Sequence, residues 1–159
     1  MEIQDLAGLL HRLERPTGPV DVVLDTDTYN EVDDQFALSY LLASQDKLRV
    51  QALYAAPFYN ENSTGPADGM EKSYQEILKL LDLAGFSHLK NQVYRGSQEY
   101  LPDEHTPVPS PAAEDLAQRA MNYTPESPLY VVAIGAPTNI ASALLLQPAI
   151  TDRVVIVWL

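Results

Sequence analysis

The sequence predicts an α/β fold, a mostly parallel sheet with helices on both faces, and three observations predict it. Several short runs are continuously apolar rather than alternating, as strands buried on both faces are. Segments with apolar residues at helical spacing separate those runs, the arrangement that makes successive strands parallel. The chain has 159 residues, 46% of them hydrophobic, and at that size a domain buries roughly 70% of its unfolded surface without disulfides or structural metal.

Each element has its own local reason. "MEIQDLAGLLHRLERP" is acidic and amphipathic, with Ile3, Leu6, Leu10 and Leu13 along one helical face. Residues 20–25 read as a buried strand, and 33–44 as a helix with an acidic first turn. "RVQALYAA" (49–56) reads as a second strand, and "FYNENSTGPADG" (58–69) as a loop rich in Asn, Gly and Pro. Met70, Tyr74, Ile77, Leu78, Leu81 and Ala84 recur at helical spacing, and Gly85 supplies a stop. "QVYRG" (92–96) is a short strand, and "YLPDEHTPVPSP" (100–111) a Pro-rich surface excursion. Ser110 as N-cap followed by Pro111 at the first helical position opens a helix to about Tyr123. "LYVVAI" (129–134) is a strand, "TNIASALLLQ" (138–147) a helix, and "RVVIVWL" (153–159) a last strand, expected to be central and to hold Trp158 in the core. The chain stops on that apolar strand at Leu159, which would be aggregation-prone as a bare edge, so it reads as a fragment or as a chain completed by another segment. No internal repeat or low-complexity tract interrupts the series.

Composition narrows the function. Ten basic residues against twenty-two acidic leave a formal net charge of −12, which argues against a nucleic-acid partner, since binding a phosphate backbone needs a cationic footprint. No apolar run approaches the ~20 residues of a membrane span, and the start is not signal-like. The sequence has no cysteine, which excludes disulfides, zinc–thiolate sites and thiol nucleophiles. A cytoplasmic location is the expectation.

The acidity concentrates in "VVLDTDTYNEVDDQFAL" (22–38), with five carboxylates from Asp25 to Asp34 and no lysine or arginine. Two unit charges ~4 Å apart interact by roughly 4 kcal/mol at an effective dielectric of 20. Splaying into water, raised pKa values or a bound cation can relieve that repulsion. A strand end restricts the first, although Asp33 and Asp34 gain relief from the helix dipole. A hard dication with oxygen ligands is the economical solution, and calcium tolerates irregular geometry best. The segment is not an EF-hand loop: counted from Asp25, the sixth position is Asn30 and the twelfth Phe36. Spacing alone leaves a metal site and a solvated acidic turn both open. Ligands in such folds bind at the carboxyl ends of strands, where this segment and "IGAPTN" both lie.

These two segments carry a resemblance. "VVLDTDTYNEVDDQFAL" resembles the signature of the inosine–uridine-preferring nucleoside hydrolases, a strand ending in Asp-x-Asp followed by Asp-Asp and a helix. "VVAIGAPTNIASALLLQP" is similar to that family's Gly-x-x-Thr-Asn-Ile-Ala stretch, and the order and separation of the two blocks agree. The resemblance implies that residues 1–159 are a single α/β domain, the amino-terminal half of a family member, with a Rossmann-like sheet. It implies hydrolysis of a ribonucleoside to ribose and free base, a Ca2+ ion and a homo-oligomer. Carried over by position, Asp27 would be an ion ligand and the general base for the ion-bound water, Asp34 a second carboxylate ligand, and Thr138 a carbonyl ligand. Asp33 would bond the ribose hydroxyls with help from Asn60, while Asp25 and Asn139 would support the loops. The chain departs from the pattern in its acidic loop. "TYNEV" puts five residues where the family usually has three, and Asn30 or Glu31 could alter ion or ribose contacts. The family's last carboxylate ligand and its leaving-group acid lie in the half not present, so 159 residues alone should be inactive.

Two rival readings stand beside it. "VVLDTDT" also fits the Asp-x-Asp-x-Thr of haloacid-dehalogenase-like phosphatases, with Asp25 as nucleophile and Asp27 as acid/base; this leaves Asp33 and Asp34 unexplained, and the lysine that chemistry needs cannot be placed. A non-catalytic, calcium-stabilised module is the other. His11 and His88 read as surface residues, His105 as a conceivable lid residue, and Tyr54, Tyr59 and Tyr74 as packing residues, with Phe58 and Tyr59 able to border a nucleobase pocket.

Overall fold

The computed structural model describes residues 6–159 and contains a five-stranded, all-parallel sheet in the order β3-β2-β1-β4-β5. The strands are β1 (Val20–Thr26), β2 (Leu48–Ala55), β3 (Val93–Arg95), β4 (Leu129–Ala133) and β5 (Val154–Trp158). The helices are α1 (Leu6–Arg12), α2 (Val32–Ala43), α3 (Pro66–Leu83), α4 (Pro111–Arg119) and α5 (Thr138–Leu146). The expected α/β architecture is therefore observed. Among the described residues, no helix is long and apolar enough to cross a membrane.

Side-chain alternation along β1 builds two cores. Val22 and Leu24 point to the side covered by α2 and α3, where they meet Leu38, Leu41, Leu42, Met70, Ile77 and Leu81. Val23 points to the other side, where Ala52, Tyr54 and Val131 meet Ala112, Ala113, Leu116, Ile140 and Ala143 of α4 and α5. Each fully buried leucine or isoleucine contributes about 1.5–3 kcal/mol. Continuing the same parity, Asp25 must point toward α5 and Thr26 toward α2. That parity decides the site below.

α4 is anchored to the sheet by a polar clasp. The Tyr54 hydroxyl, itself buried, donates to Asp115 at 2.5 Å, and Arg119 holds the same carboxylate at 2.8 and 3.0 Å. The Ser110 hydroxyl accepts from the Ala113 amide at 3.2 Å, the cap expected from sequence.

Several expectations need correction. α3 starts at Pro66, inside the predicted loop 58–69, because Pro66 takes the first helical position and Gly69 lets the helix pass beneath Phe58. A Cβ on Gly69 would collide with the Phe58 carbonyl oxygen. α4 ends at Arg119, and a 3-10 turn carries the chain through Asn122. Tyr123 then leaves the helix so that its hydroxyl can donate to Asp21 at 2.9 Å. Among the described residues β5 pairs with β4 alone, and Trp158, expected in the core, is 67% exposed. Leu6, Leu10 and Leu13 are exposed, while Ile3 lies outside the described residues. Tyr54 is buried as expected, but Tyr59 is exposed.

Candidate functional site

The chain moves outward from β1 to β2 and β3, then crosses back to β4 and β5. The order therefore reverses between β1 and β4, and ligands bind at the carboxyl ends of strands at such a point. The Ile134 amide donates to the Asp25 carbonyl at 2.9 Å, and the Ala56 amide to the Thr26 carbonyl at 2.8 Å. The end of β1 that carries Asp25 and leads into Asp27 is thus flanked by the ends of β2 and β4.

Asp25 is buried on the α5 side. Its Oδ1 accepts from Asn139 Nδ2 at 2.8 Å, while its Oδ2 has no hydrogen-bond partner. Burial above all, with the nearby Asp27 charge adding to it, pushes its pKa up to about 7 against the Asn139 hydrogen bond. A carboxylate so enclosed lacks the access to a phosphate ester that the phosphatase reading requires of Asp25 as nucleophile.

Asn139 does more than brace a loop. Its Oδ1 accepts from the Ser97 amide at 2.7 Å, the Ser97 hydroxyl at 3.0 Å and the Ser110 hydroxyl at 3.3 Å, and its Nδ2 also donates to the Ala55 carbonyl at 3.2 Å. One buried amide thereby joins the ends of β1 and β2, the loop after β3 and the cap of α4. Gly96 leaves space for it: a Cβ there would collide with the Ala55 carbonyl and lie 2.5 Å from Asn139 Nδ2.

Asp27 and Asp34 form the second acidic pair, where the chain leaves β1 and enters α2. Thr26 donates to Asp34 Oδ2 at 2.5 Å and shares a 2.9 Å hydrogen bond with the Thr28 hydroxyl. Burial, then the charge and hydrogen-bonding demand of Asp34, push Asp27 up to about 7, opposed by the Asn30 side chain. Burial also raises Asp34, against the Thr26 hydroxyl. Asp33 differs: it is exposed, and its Oδ1 accepts from the Asp34 amide at 3.1 Å. The structure brings Asp25, Asp27 and Asp34 together beneath the surface and leaves Asp33 at the rim.

Two further loops close on Asp27. Gly135, after β4, lets the backbone run against it, since a Cβ there would lie 3.1 Å from Asp27 Cγ. Thr138, buried in the first turn of α5, lies just beyond, with its amide on the Ala136 carbonyl at 2.8 Å. From the β2 side, Asn60 Nδ2 donates to Asn30 Oδ1 at 2.5 Å, and Asn30 Nδ2 to Asp27 Oδ2 at 3.1 Å. Tyr100 stands near enough to feel the Asp27 charge, which, after burial, raises its pKa. His105 is exposed, its Nε2 3.3 Å from Glu104, whereas Tyr100 of the same loop lies near Asp27.

The donor set fits a hard cation. Among the described residues, no lysine, arginine or histidine forms an ion pair with Asp25, Asp27, Asp33 or Asp34, so the buried carboxylates are without countercharge. The partnerless Asp25 Oδ2 shows the same deficit. Among those residues, no group of three or more His, Cys, Asp or Glu side chains is gathered to hold an ion by itself. Asp27 and Asp34 therefore need backbone, substrate or other ligands to complete a coordination shell.

Sequence reading missed Thr26, Ser97, Ser110, Gly135 and Tyr100 as members of the site. Strand parity could have assigned Thr26 to the α2 side, and "IGAPTN" puts Gly135 at the carboxyl end of a strand; nothing local marks Ser97, Ser110 or Tyr100 as neighbours of the acidic loop.

No curated protein is similar enough to match this chain. Its fold is similar to that of a plant nucleoside hydrolase, with a TM-score of 0.63 and 24% identity over 88% of this chain and 47% of that one. The chain thus spans about half the length of that structure, and at this identity the likeness concerns the fold. Residues 22–159, from β1 to β5, carry every group described above and match the inosine-uridine preferring nucleoside hydrolase family, to which the chain belongs.

Proposed function

We propose that the protein hydrolyses the N-glycosidic bond of ribonucleosides, with Asp27 as general base and Asp27, Asp34 and the Thr138 carbonyl as ligands of a calcium ion. The observation that carries the reading is the pair Asp27 and Asp34, buried without countercharge at the switch point of a chain of this family. Calcium, when bound, would neutralise that pair and lower the pKa of water beside it.

In the reaction, the oxygen of water bonds to C1′ of the ribose as the C1′–N bond breaks, and the bond's electron pair leaves with the base. Asp27 accepts the proton that water releases. The carboxylates stabilise the positive charge that develops on the sugar. Asp33, at the rim, has one oxygen on the Asp34 amide and the other available to ribose hydroxyls. Asn60 is partly committed to Asn30 and contributes through its remaining N–H. Asp25 and Asn139 hold the loop ends. The departing base needs a proton donor, and none of the groups assigned here supplies it, so these 159 residues alone turn over no nucleoside on this reading.

Ribose release from inosine and uridine by the full-length protein, with calcium and after chelation, tests the proposal beside Asp27→Ala. Calcium-dependent turnover lost in the variant supports it. Absence of turnover, with calcium still raising the melting temperature, would leave a metal-stabilised relative without catalysis.

A further inference from the structure

We propose that Asn30 is a positioning residue for Asp27, a role that rests on the hydrolase reading above. Asn30 lies in the segment "TYNEV" (28–32), where the acidic loop is longer than the pattern it resembles. Its side-chain amide spans the gap between two loops. Nδ2 donates to Asp27 Oδ2 at 3.1 Å, and Oδ1 accepts from Asn60 Nδ2 at 2.5 Å. The Asn30 carbonyl accepts from Asn62 Nδ2 at 3.1 Å, and the Asn60 Oδ1 accepts from the Asn62 amide at 2.9 Å. The Asn30 amide closes back on the Asp27 carbonyl at 2.6 Å. Both ends of the Asn30 side chain are therefore used, and its orientation is set by its partners: a donor must face the carboxylate and an acceptor must face the Asn60 amino group.

This relay of hydrogen bonds has a mechanical consequence for the base. The terminal torsion of an aspartate is broad and roughly two-fold, so an unheld carboxylate swings. Asn30 holds one oxygen of Asp27, Oδ2, and so sets the direction in which the carboxylate faces. Asn60 and Asn62 in turn fix Asn30 to the loop after β2, which lies on the neighbouring strand of the sheet. Asn30 is itself only half-buried, and both ends of its side-chain amide are spent on Asp27 and Asn60, so its service is orientation rather than support of the fold. Small misplacements of a reacting group cost on the order of 100-fold in rate.

The test compares the full-length protein with Asn30→Ala, Asn60→Ala and the double variant, at saturating calcium, with inosine and uridine. The expected result for Asn30→Ala is a kcat lowered about 10- to 100-fold, KM unchanged within about twofold and an unchanged melting temperature. Asn60 also meets the ribose on the reading above, so the double variant should carry the kcat loss of Asn30→Ala together with the raised KM of Asn60→Ala. A raised KM with kcat kept in Asn30→Ala would make Asn30 a substrate contact and overturn the proposal, as would a double variant whose kcat falls by the product of the two single losses. A second readout needs no activity: in 15N-labelled protein the Asn30 side-chain amide signals should shift in Asp27→Asn and again in Asn60→Ala. Signals indifferent to both substitutions would overturn the clamp. If the unsubstituted protein turns over no nucleoside, the hydrolase reading fails, and the amide signals still decide whether Asn30 holds Asp27.

Discussion

Replacing Asp25 with asparagine should make the protein less stable in acid and more stable above neutrality, measured without calcium. Asp25 is fully buried, and its pKa rises from 3.8 to about 7. Below pH 3.8 the group is protonated in both folded and unfolded chains and contributes no pH dependence. As pH rises from 3.8 to about 7, the folded protein keeps a proton that the unfolded chain has released, so stability falls with rising pH. The difference, at about 1.36 kcal/mol for each pH unit, amounts to roughly 4 kcal/mol once both states are ionised. The introduced carboxamide would keep the acceptor for Asn139 but would place a buried N–H where Oδ2 has no partner, at about 1–3 kcal/mol. The variant should therefore lose about 1–3 kcal/mol at about pH 4 and gain about 1–3 kcal/mol at about pH 8, with the two curves crossing between about pH 4.5 and 6. Urea unfolding in the presence of a chelator, repeated at each pH, reads both arms. A variant less stable by the same margin at every pH would refute the argument, because it would mean that Asp25 is not the strained acid.

Calcium at about a hundred times its dissociation constant should stabilise the protein by roughly 2.7 kcal/mol, about 5–10 °C in melting temperature for a domain of this size. Asp34→Asn should remove most of that gain, which a thermal melt with and without chelator would show. Gly96→Ala should destabilise by about 3 kcal/mol or more, since its Cβ would meet the Ala55 carbonyl and Asn139. Gly135→Ala, with a contact of 3.1 Å to Asp27, should lose less than about 1.5 kcal/mol while lowering turnover by the full-length protein; denaturant unfolding and steady-state kinetics separate the two effects. Ser110→Ala should cost about 1 kcal/mol through its cap, and a loss several times larger would show that the Asn139 network depends on Ser110 as well.

The elements of this fold were legible because their causes are local. The apolar runs at 20–25, 49–56 and 129–134, the Ser110–Pro111 cap and the acidic first turn of α2 each depend on residues a few positions apart. The two segments that bear the family resemblance are local in the same sense, and they lead to Asp27, Asp34 and Thr138 without coordinates. What tertiary structure alone decided are the partners brought from far along the chain. Asn139 reaches Asp25 across 114 positions and Ser97 across 42, and Asn60 reaches Asn30 across 30. No local pattern encodes these separations, because they follow from the order in which parallel strands sit side by side. An apolar run likewise specifies a strand but not its cover: Trp158 lies on β5, which among the described residues pairs with β4 alone. Charge density revealed that the acidic loop was unusual. Their tertiary partners divided it into Asp25, buried and held by Asn139, and the pair Asp27 and Asp34, set just past the strand end without countercharge.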